Sequence, residues 1–287
     1  ESTDGILAGM EGNRAKLVDT HFNIREMDYS INEMQAAIAP SATNRLYTAI
    51  NISNSITVLG FDKFLVKLEN GNPFLTYLYP IKSVAKINSD FIIVGTSSFA
   101  FKLRLYDLKI TDTIWRERCT KVFYYNQSYY IGTLNGLYEV KEDKSYTYLG
   151  SIHAALGRRI TDIKSSADST LWVSTSDNGI VAIKRGQIVK AFTDSNGLSS
   201  NICKTIFIEG ATLWVGTDKG INKLSIGEGQ YNISKYSTSD GLPSNVINTI
   251  LVKDNMVWVG SPAGLTYFNE NSMSNSSFCD LKMLGIY

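Results

Sequence analysis

The pattern Leu-Trp-Val-Gly-Thr at 213–217 returns along this chain at nearly fixed spacing. It stands as Val-Trp-Val-Gly-Ser at 257–261, Leu-Trp-Val-Ser-Thr at 171–175, Tyr-Tyr-Ile-Gly-Thr at 129–133 and Ile-Ile-Val-Gly-Thr at 92–96. Fainter copies are Leu-Tyr-Thr-Ala at 46–49 and Leu-Ala-Gly at 7–9. With the small residue as marker, the series runs Gly9, Ala49, Gly95, Gly132, Ser174, Gly216 and Gly260. The intervals are 40, 46, 37, 42, 42 and 44, a mean of about 42 residues. A self-similar period of this length means stacked copies of one supersecondary unit.

Each unit reads as short strands. Asn201-Ile202 opens a run through Ile208, Glu209-Gly210 turns it, and Leu213 to Thr217 forms the next strand. Gly220 punctuates a tight connection into Ile221–Leu224, and Tyr231 to Tyr236 supplies a fourth strand. β-branched and aromatic residues fill the strands, and Gly, Asn, Asp and Ser the turns. A weak helical spacing at Ile31–Ala39 is read as turn and strand. Four strands per 42 residues, repeated, predict propeller blades. The expected fold is therefore all-β: a single seven-bladed β-propeller of four-stranded blades over residues 1–276, incomplete, if anywhere, at the chain ends.

Two further expectations follow from the strand geometry. A small marker residue suits a place where backbones of neighbouring blades approach closely. Trp172, Trp214 and Trp258, on strands apolar on both faces, are expected as inter-blade core and not as a sugar-stacking platform. A second repeat precedes the strongest units: Asn196–Ile202, with Gly197-Leu198-Ser199-Ser200-Asn201, recurs as Asp240–Val246, with Gly241-Leu242-Pro243-Ser244-Asn245. In both, the final apolar residue lies 12 positions before the strand tryptophan. It reads as a blade-to-blade connector whose Asn and Ser side chains hold turn backbone groups.

These motifs resemble the two-component regulator propeller repeat, over residues 196–268 above all, then 156–185 and 81–140. The resemblance implies the sensor part of a hybrid two-component protein of the Bacteroidetes type, with the propeller in the periplasm as the extracytoplasmic part of an inner-membrane protein. It also implies a non-enzymatic role, an oligosaccharide ligand, and transmission to a kinase outside this segment, with a homodimer of the parent protein as a further option. The tail at 277–287 is similar to the lead-in of a Y_Y_Y-type domain, or else supplies a last strand. Gly9 has only eight residues before it, so the chain is expected to start on the second strand of its first blade, as a fragment of a longer protein. Departures from the repeat are Ser174 for glycine, Ser261 for threonine, and Arg158-Arg159 where a connector should read Ser-Asn.

Other chemistry is sparse. Lys plus Arg number 28 against 27 for Asp plus Glu, so a net charge of +1 argues against a nucleic-acid surface. No apolar run reaches the roughly 20 residues of a membrane helix, and the first residues show no signal peptide. Three cysteines (Cys119, Cys203, Cys279) and two histidines (His21, His153) give no disulfide framework or metal motif, so no cofactor and no metal is expected. Thr175–Gly179 only grazes a sialidase Asp-box, and nucleotide-binding fingerprints are missing.

The local exception is basic. His153, Arg158 and Arg159 fall in the connector before the blade of Trp172. Matching Ile160 to Ile202, each 12 residues before its tryptophan, puts Arg159 at the Asn201 position and Arg158 at the Ser200 position. Guanidinium groups offer a planar fork that suits a carboxylate or sulfate. Asn135, Asp177, Asn178, Asp218 and Lys219, on loops of the same type, complete the candidate ligand-binding set. The alternative is a structural or protein-interaction propeller with no small ligand.

Overall fold

A computed structural model describes residues 46–70, 72–226 and 231–270 fully. Gly5–Gly9, Arg14–Asp19, Ile24–Asp28, Met273–Ser274, Ser277–Phe278 and Lys282–Leu284 are described as backbone strands. The expected turn and strand at 31–39, His21 and Cys279 lie outside the described residues.

Strands β1 (Gly5–Gly9), β2 (Arg14–Asp19) and β3 (Ile24–Asp28) form a three-stranded antiparallel sheet. Six four-stranded meanders follow. Blade one is β4 (Thr48–Ser53), β5 (Ile56–Gly60), β6 (Phe64–Glu69) and β7 (Asn72–Tyr77). Blade two is β8 (Ile81–Lys86), β9 (Phe91–Thr96), β10 (Ala100–Arg104) and β11 (Ile110–Trp115). Blade three is β12 (Lys121–Tyr125), β13 (Ser128–Thr133), β14 (Gly136–Lys141) and β15 (Tyr146–Tyr148). Blade four is β16 (Ile160–Ser165), β17 (Leu171–Thr175), β18 (Ile180–Lys184) and β19 (Gln187–Phe192). Blade five is β20 (Cys203–Glu209), β21 (Thr212–Thr217), β22 (Gly220–Ser225) and β23 (Ile233–Tyr236). Blade six is β24 (Thr249–Lys253), β25 (Met256–Ser261) and β26 (Gly264–Asn269). A short hairpin of β27 (Met273–Ser274) and β28 (Ser277–Phe278) precedes β29 (Lys282–Leu284), which pairs with β26 in the fourth-strand position of blade six.

The blade count is therefore six, not the seven expected. The markers at 95, 132, 174, 216 and 260 all lie on second strands, but Ala49 lies on the first strand β4. The true marker of blade one is Gly60 on β5, 35 residues before Gly95. Gly9 ends the first strand of the three-stranded sheet instead of a second strand. The seventh expected unit, marked by Gly9, falls on the three-stranded sheet of β1 to β3 and not on a four-stranded blade.

Residues 1–131 with 140–145 form one compact unit, and residues 132–139 with 146–287 form another. In the first, Ile52, Val58 and Leu65 of blade one share a core with Ile81, Val84 and Ile92 of blade two. In the second, Trp172 packs with Cys203, Ile206 and Leu213, joining blades four and five. Trp214 packs with Ile247, Ile250 and Val257, joining blades five and six. Trp258 is buried against Tyr267, with ring centroids 4.7 Å apart. The tryptophans are thus core, as their strand pattern predicts. Among the described residues no helix is long and apolar enough to cross a membrane.

The marker glycines do what their position requires. A Cβ at Gly216 would lie 2.7 Å from Cγ2 of Ile247 in the next blade and 2.7 Å from Cγ2 of Thr205. At Gly60 it would meet Ile81 of the next blade at 2.6 Å. Polar pins reinforce the same seams. Ser83 Oγ accepts from the Val122 amide at 3.2 Å, joining the first strands β8 and β12. Asp162 stands at the corresponding position of β16. Its carboxylate, in a residue only 4% exposed, accepts from the Ile206 amide at 3.1 Å and the Thr205 hydroxyl at 3.2 Å. A buried carboxylate held by donors of the neighbouring strand is a cross-blade fastening, not a free acid.

Ser174 stands in place of the marker glycine in blade four, where its opposite number is small. The residue starting the next first strand is Cys203, where Gly216 faces the bulkier Ile247. The Ser174 hydroxyl is 2.9 Å from that of Thr161, which donates to the Cys203 carbonyl at 2.7 Å. Replacing Cys203 by Ile should therefore overpack the seam and cost about 1–3 kcal/mol. Adding Ser174→Gly should recover at least about 1 kcal/mol of that as a coupling energy. Denaturant unfolding of the four proteins in the cycle measures it, and simple additivity would refute the pairing.

Candidate functional site

All of the candidate residues lie on the compact unit of residues 132–139 and 146–287. They stand at the blade end that carries the hairpins between second and third strands and the connectors between blades. The hairpin fold follows from the last letter of the repeat. Thr217 Oγ1 donates to the Gly220 carbonyl at 2.8 Å and accepts from the Lys219 amide at 3.0 Å. Thr175 does the same for Gly179 and Asn178, and Thr133 for Gly136 and Asn135. Ser261, the expected departure, keeps the device through its own hydroxyl, bonding the Gly264 carbonyl and the Ala263 amide. Asn135, Asn178 and Lys219 thus sit on braced two-stranded tips, with their amides committed.

The connectors are braced as well. Asn201 Oδ1 accepts from the Asp194 amide at 2.9 Å, and Asn245 Oδ1 accepts from the Thr238 amide at 2.8 Å. Their carbonyls accept from Gly179 and Gly220, which ties each connector to the preceding blade's hairpin. At Gly220, φ is +109°, and a Cβ would run into the Tyr236 carbonyl, so only glycine fits. The connector motif is a clasp, as its sequence suggests.

The connector before blade four departs from this form. It makes two 3-10 turns, Leu149–Ser151 and Ala154–Gly157. His153 caps the second, its Nδ1 accepting from the Ala155 amide at 3.2 Å, so that nitrogen is engaged in holding the turn. The Tyr148 ring lies over Gly136 and Gly150, where a side chain would collide with it, its hydroxyl stands close over Gly157, and that hydroxyl donates to the Asn135 carbonyl at 3.0 Å. Arg158 and Arg159 are both exposed. Arg158 Nε lies 4.0 Å from Asp177 Oδ2, a loose surface pair, while the Arg159 carbonyl accepts from the Ser176 amide at 3.0 Å.

Strand register corrects the sequence alignment by one residue. Ile160 pairs with Thr175 as Cys203 pairs with Thr217. Arg159 therefore corresponds to Ile202 and Arg158 to Asn201. The reason is the first hairpin of blade four. Five residues separate Ser165 from its partner Leu171, against four between Ile208 and Leu213. Counting back from tryptophan crosses that extra residue.

The structure thus gathers Asn135, His153, Arg158 and Asp177 around one connector, with Arg159 and Asn178 beside them. Asp218 and Lys219 belong to the next blade's hairpin. Asp218 Oδ1 is buried with no hydrogen-bond partner. It lies near the fully buried Cys203, whose thiol pKa is pushed up to about 12, by burial first and by Asp218 second. Among the described residues no group of three His, Cys, Asp or Glu side chains is arranged to hold a metal. Sequence reading missed Thr161, Lys204 and Asn248, which share one position near the start of the first strands. Their signal was a polar residue directly after the buried apolar residue that opens each unit: Ile160, Cys203 and Ile247.

No family model and no curated protein matches the sequence. Solved structures do match it. The chain is similar to the WD40 β-propeller domain of Doa1, at 12% identity and a TM-score of 0.63, covering 84% of this chain and 83% of that one. It is similar to the β-propeller domain of Cps50 (Swd1) from Myceliophteria thermophila, at 12% identity and a TM-score of 0.66, covering 84% and 87%. The fold is a β-propeller. A third match is the extracellular domain of the putative hybrid two-component system BT4673 from B. thetaiotaomicron, at 14% identity and a TM-score of 0.65. That match covers 93% of this propeller and 38% of the BT4673 domain, so this chain spans well under half of that domain's length.

The hairpin bracing of this propeller is open to direct test. Thr217→Val should leave the Gly220 carbonyl and the Lys219 amide without their partner and cost about 1–3 kcal/mol. Thr217→Ser, which keeps the hydroxyl as Ser261 does, should cost clearly less. Urea unfolding midpoints of the two variants rank them, and equal losses would mean the methyl group matters instead.

Proposed function

We propose that this chain is a non-enzymatic ligand-binding sensor propeller of a two-component signalling protein, placed outside the cytoplasm and responding to a carbohydrate fragment. The observation that carries the reading is a rigid end of braced hairpins and clasped connectors on which Arg158 and Arg159 stand exposed. Binding residues are characteristically set on loops held by such a scaffold. The likeness of 93% of the chain to part of a putative two-component extracellular domain supports the signalling context. Binding would pass to a kinase elsewhere in the parent protein, through a Y_Y_Y-type domain of that protein. Such a signal requires that the ligand bind one arrangement of the parent better than another.

A second reading, a protein-interaction propeller, is favoured by apolar side chains at the same end. Leu134 and Ile152 are each 42% exposed, and Ile202 is 41% exposed. A thermal-shift screen of neutral and acidic oligosaccharide fragments separates the two readings. A true ligand at 100 times its dissociation constant should stabilise the chain by about 2.7 kcal/mol. Stabilisation by no fragment would turn the assignment to the interaction reading, and turnover of any fragment would overthrow both.

A further inference from the structure

The first strands carry a repeated irregularity that the sensor reading leaves unused. Their ladders with the second strands slip between Ile81 and Ser83, between Ile160 and Asp162, and between Cys203 and Thr205. Each slip leaves one residue without a ladder partner: Lys82, Thr161 and Lys204. A bulge of this kind re-aims a side chain, and bulges gather beside functional sites. In blade six the same position is Asn248, whose amide reaches the Gly260 carbonyl.

In the unit of blades four to six these side chains form one polar row across three successive first strands. Thr161 donates to the Cys203 carbonyl at 2.7 Å, which fixes the peptide that leads into Lys204. Lys204 Nζ donates to Asn248 Oδ1 at 3.4 Å. Two residues before each member, in the connectors that lead into these strands, stand Arg159, Ile202 and Val246. Arg159 belongs here once the register is corrected, one step nearer the strand than the sequence count placed it.

The charge on this row is unbalanced. Lys204 is only partly exposed, and among the described residues its one hydrogen-bond partner is a neutral amide. Among the described residues no carboxylate lies within ion-pair distance of Lys204 or Arg159. Elsewhere in the same unit Lys184 faces Asp168 at 2.7 Å and Lys223 faces Glu270 at 2.6 Å. Partly buried ammonium groups are normally paired, because removal from water penalises an isolated charge.

We propose that this row binds one oxyanion, a carboxylate or a sulfate group, with Arg159 and Lys204 supplying the charge and the Asn248 amide a further donor. Thr161 acts as a positioning residue through the Cys203 peptide. Ile202 and Val246 flank the group with apolar surface suited to the body of the molecule that carries it. The inference rests on the sensor reading only for the expectation that this body is a saccharide. The oxyanion site stands on the row itself.

Calorimetric titration of the 287-residue chain tests it, with a sulfated disaccharide, a uronate-containing disaccharide, a neutral disaccharide and inorganic sulfate as probes. Lys204→Met and Arg159→Gln should each weaken the anionic disaccharides and sulfate at least ~10-fold, with affinity falling as salt rises. The tighter of the two anionic disaccharides identifies the group. Lys184→Gln, which removes a paired charge, should change little. Circular dichroism melts confirm folding, and Lys204→Gln replaces any variant that fails to fold. Undiminished affinity in the variants, or no preference for anionic over neutral disaccharides, overturns the site and leaves the sensor reading intact. If no disaccharide binds but sulfate binds in a Lys204-dependent way, the site stands and the saccharide reading falls. If nothing binds, both fall.

Discussion

Neighbouring blades meet where a side chain is missing. At Gly60, Gly95 and Gly216 a single added carbon would strike the next blade, and at Gly260 it would strike Thr249 of the blade's own first strand. Everything else in the repeat is arranged around that close approach. The apolar residues flanking the marker fill the space on both faces of the second strand, and the tryptophan before it spreads across the seam. The buried Ser83 and Asp162 then convert contact into register, since each binds one particular amide of the next first strand. Dispersion holds the sheets together, and hydrogen bonds decide how far one may slide along another.

That division of labour explains which features could be read from the sequence. The second strands, the tryptophan core, the hairpin threonines and the Asn clasps each depend on local chemistry, and their residues carry it openly. The blade count did not, because Ala49 sits on β4 while the geometrically equivalent Gly60 lies in Ile-Thr-Val-Leu-Gly, which lacks the aromatic signal. The placement of Arg158 and Arg159 failed for a similar reason. A turn longer by one residue at Ser166–Thr170 leaves no trace in the flanking motifs yet moves every count made across it. The bulges are also silent, since a ladder slip is a relation between two strands and neither sequence alone encodes it.

The candidate surface shows how a conserved geometry can leave room for difference. Hairpin and connector are fixed by backbone hydrogen bonds, so their outward side chains can vary without altering the frame. Blade four uses that freedom most. It exchanges the Gly-Leu-x-Ser-Asn connector for a longer path, and Tyr148, laid over three glycines, restores the rigidity that the Asn side chain gives elsewhere. His153 is part of that repair, which separates it from the two arginines it adjoins in sequence.

Burial of two thiols at the blade seams has a consequence for redox behaviour. Cys119 and Cys203 hold corresponding places at the start of their blades, both are fully buried, and both thiol pKa values lie near 12. The reactive form of cysteine is the thiolate, and at neutral pH these sites hold almost none of it. Neither sulfur is therefore open to exchange or peroxide attack while the blades remain packed. A packing choice made to fit the seam thus renders these two sites chemically quiet in an oxidising medium.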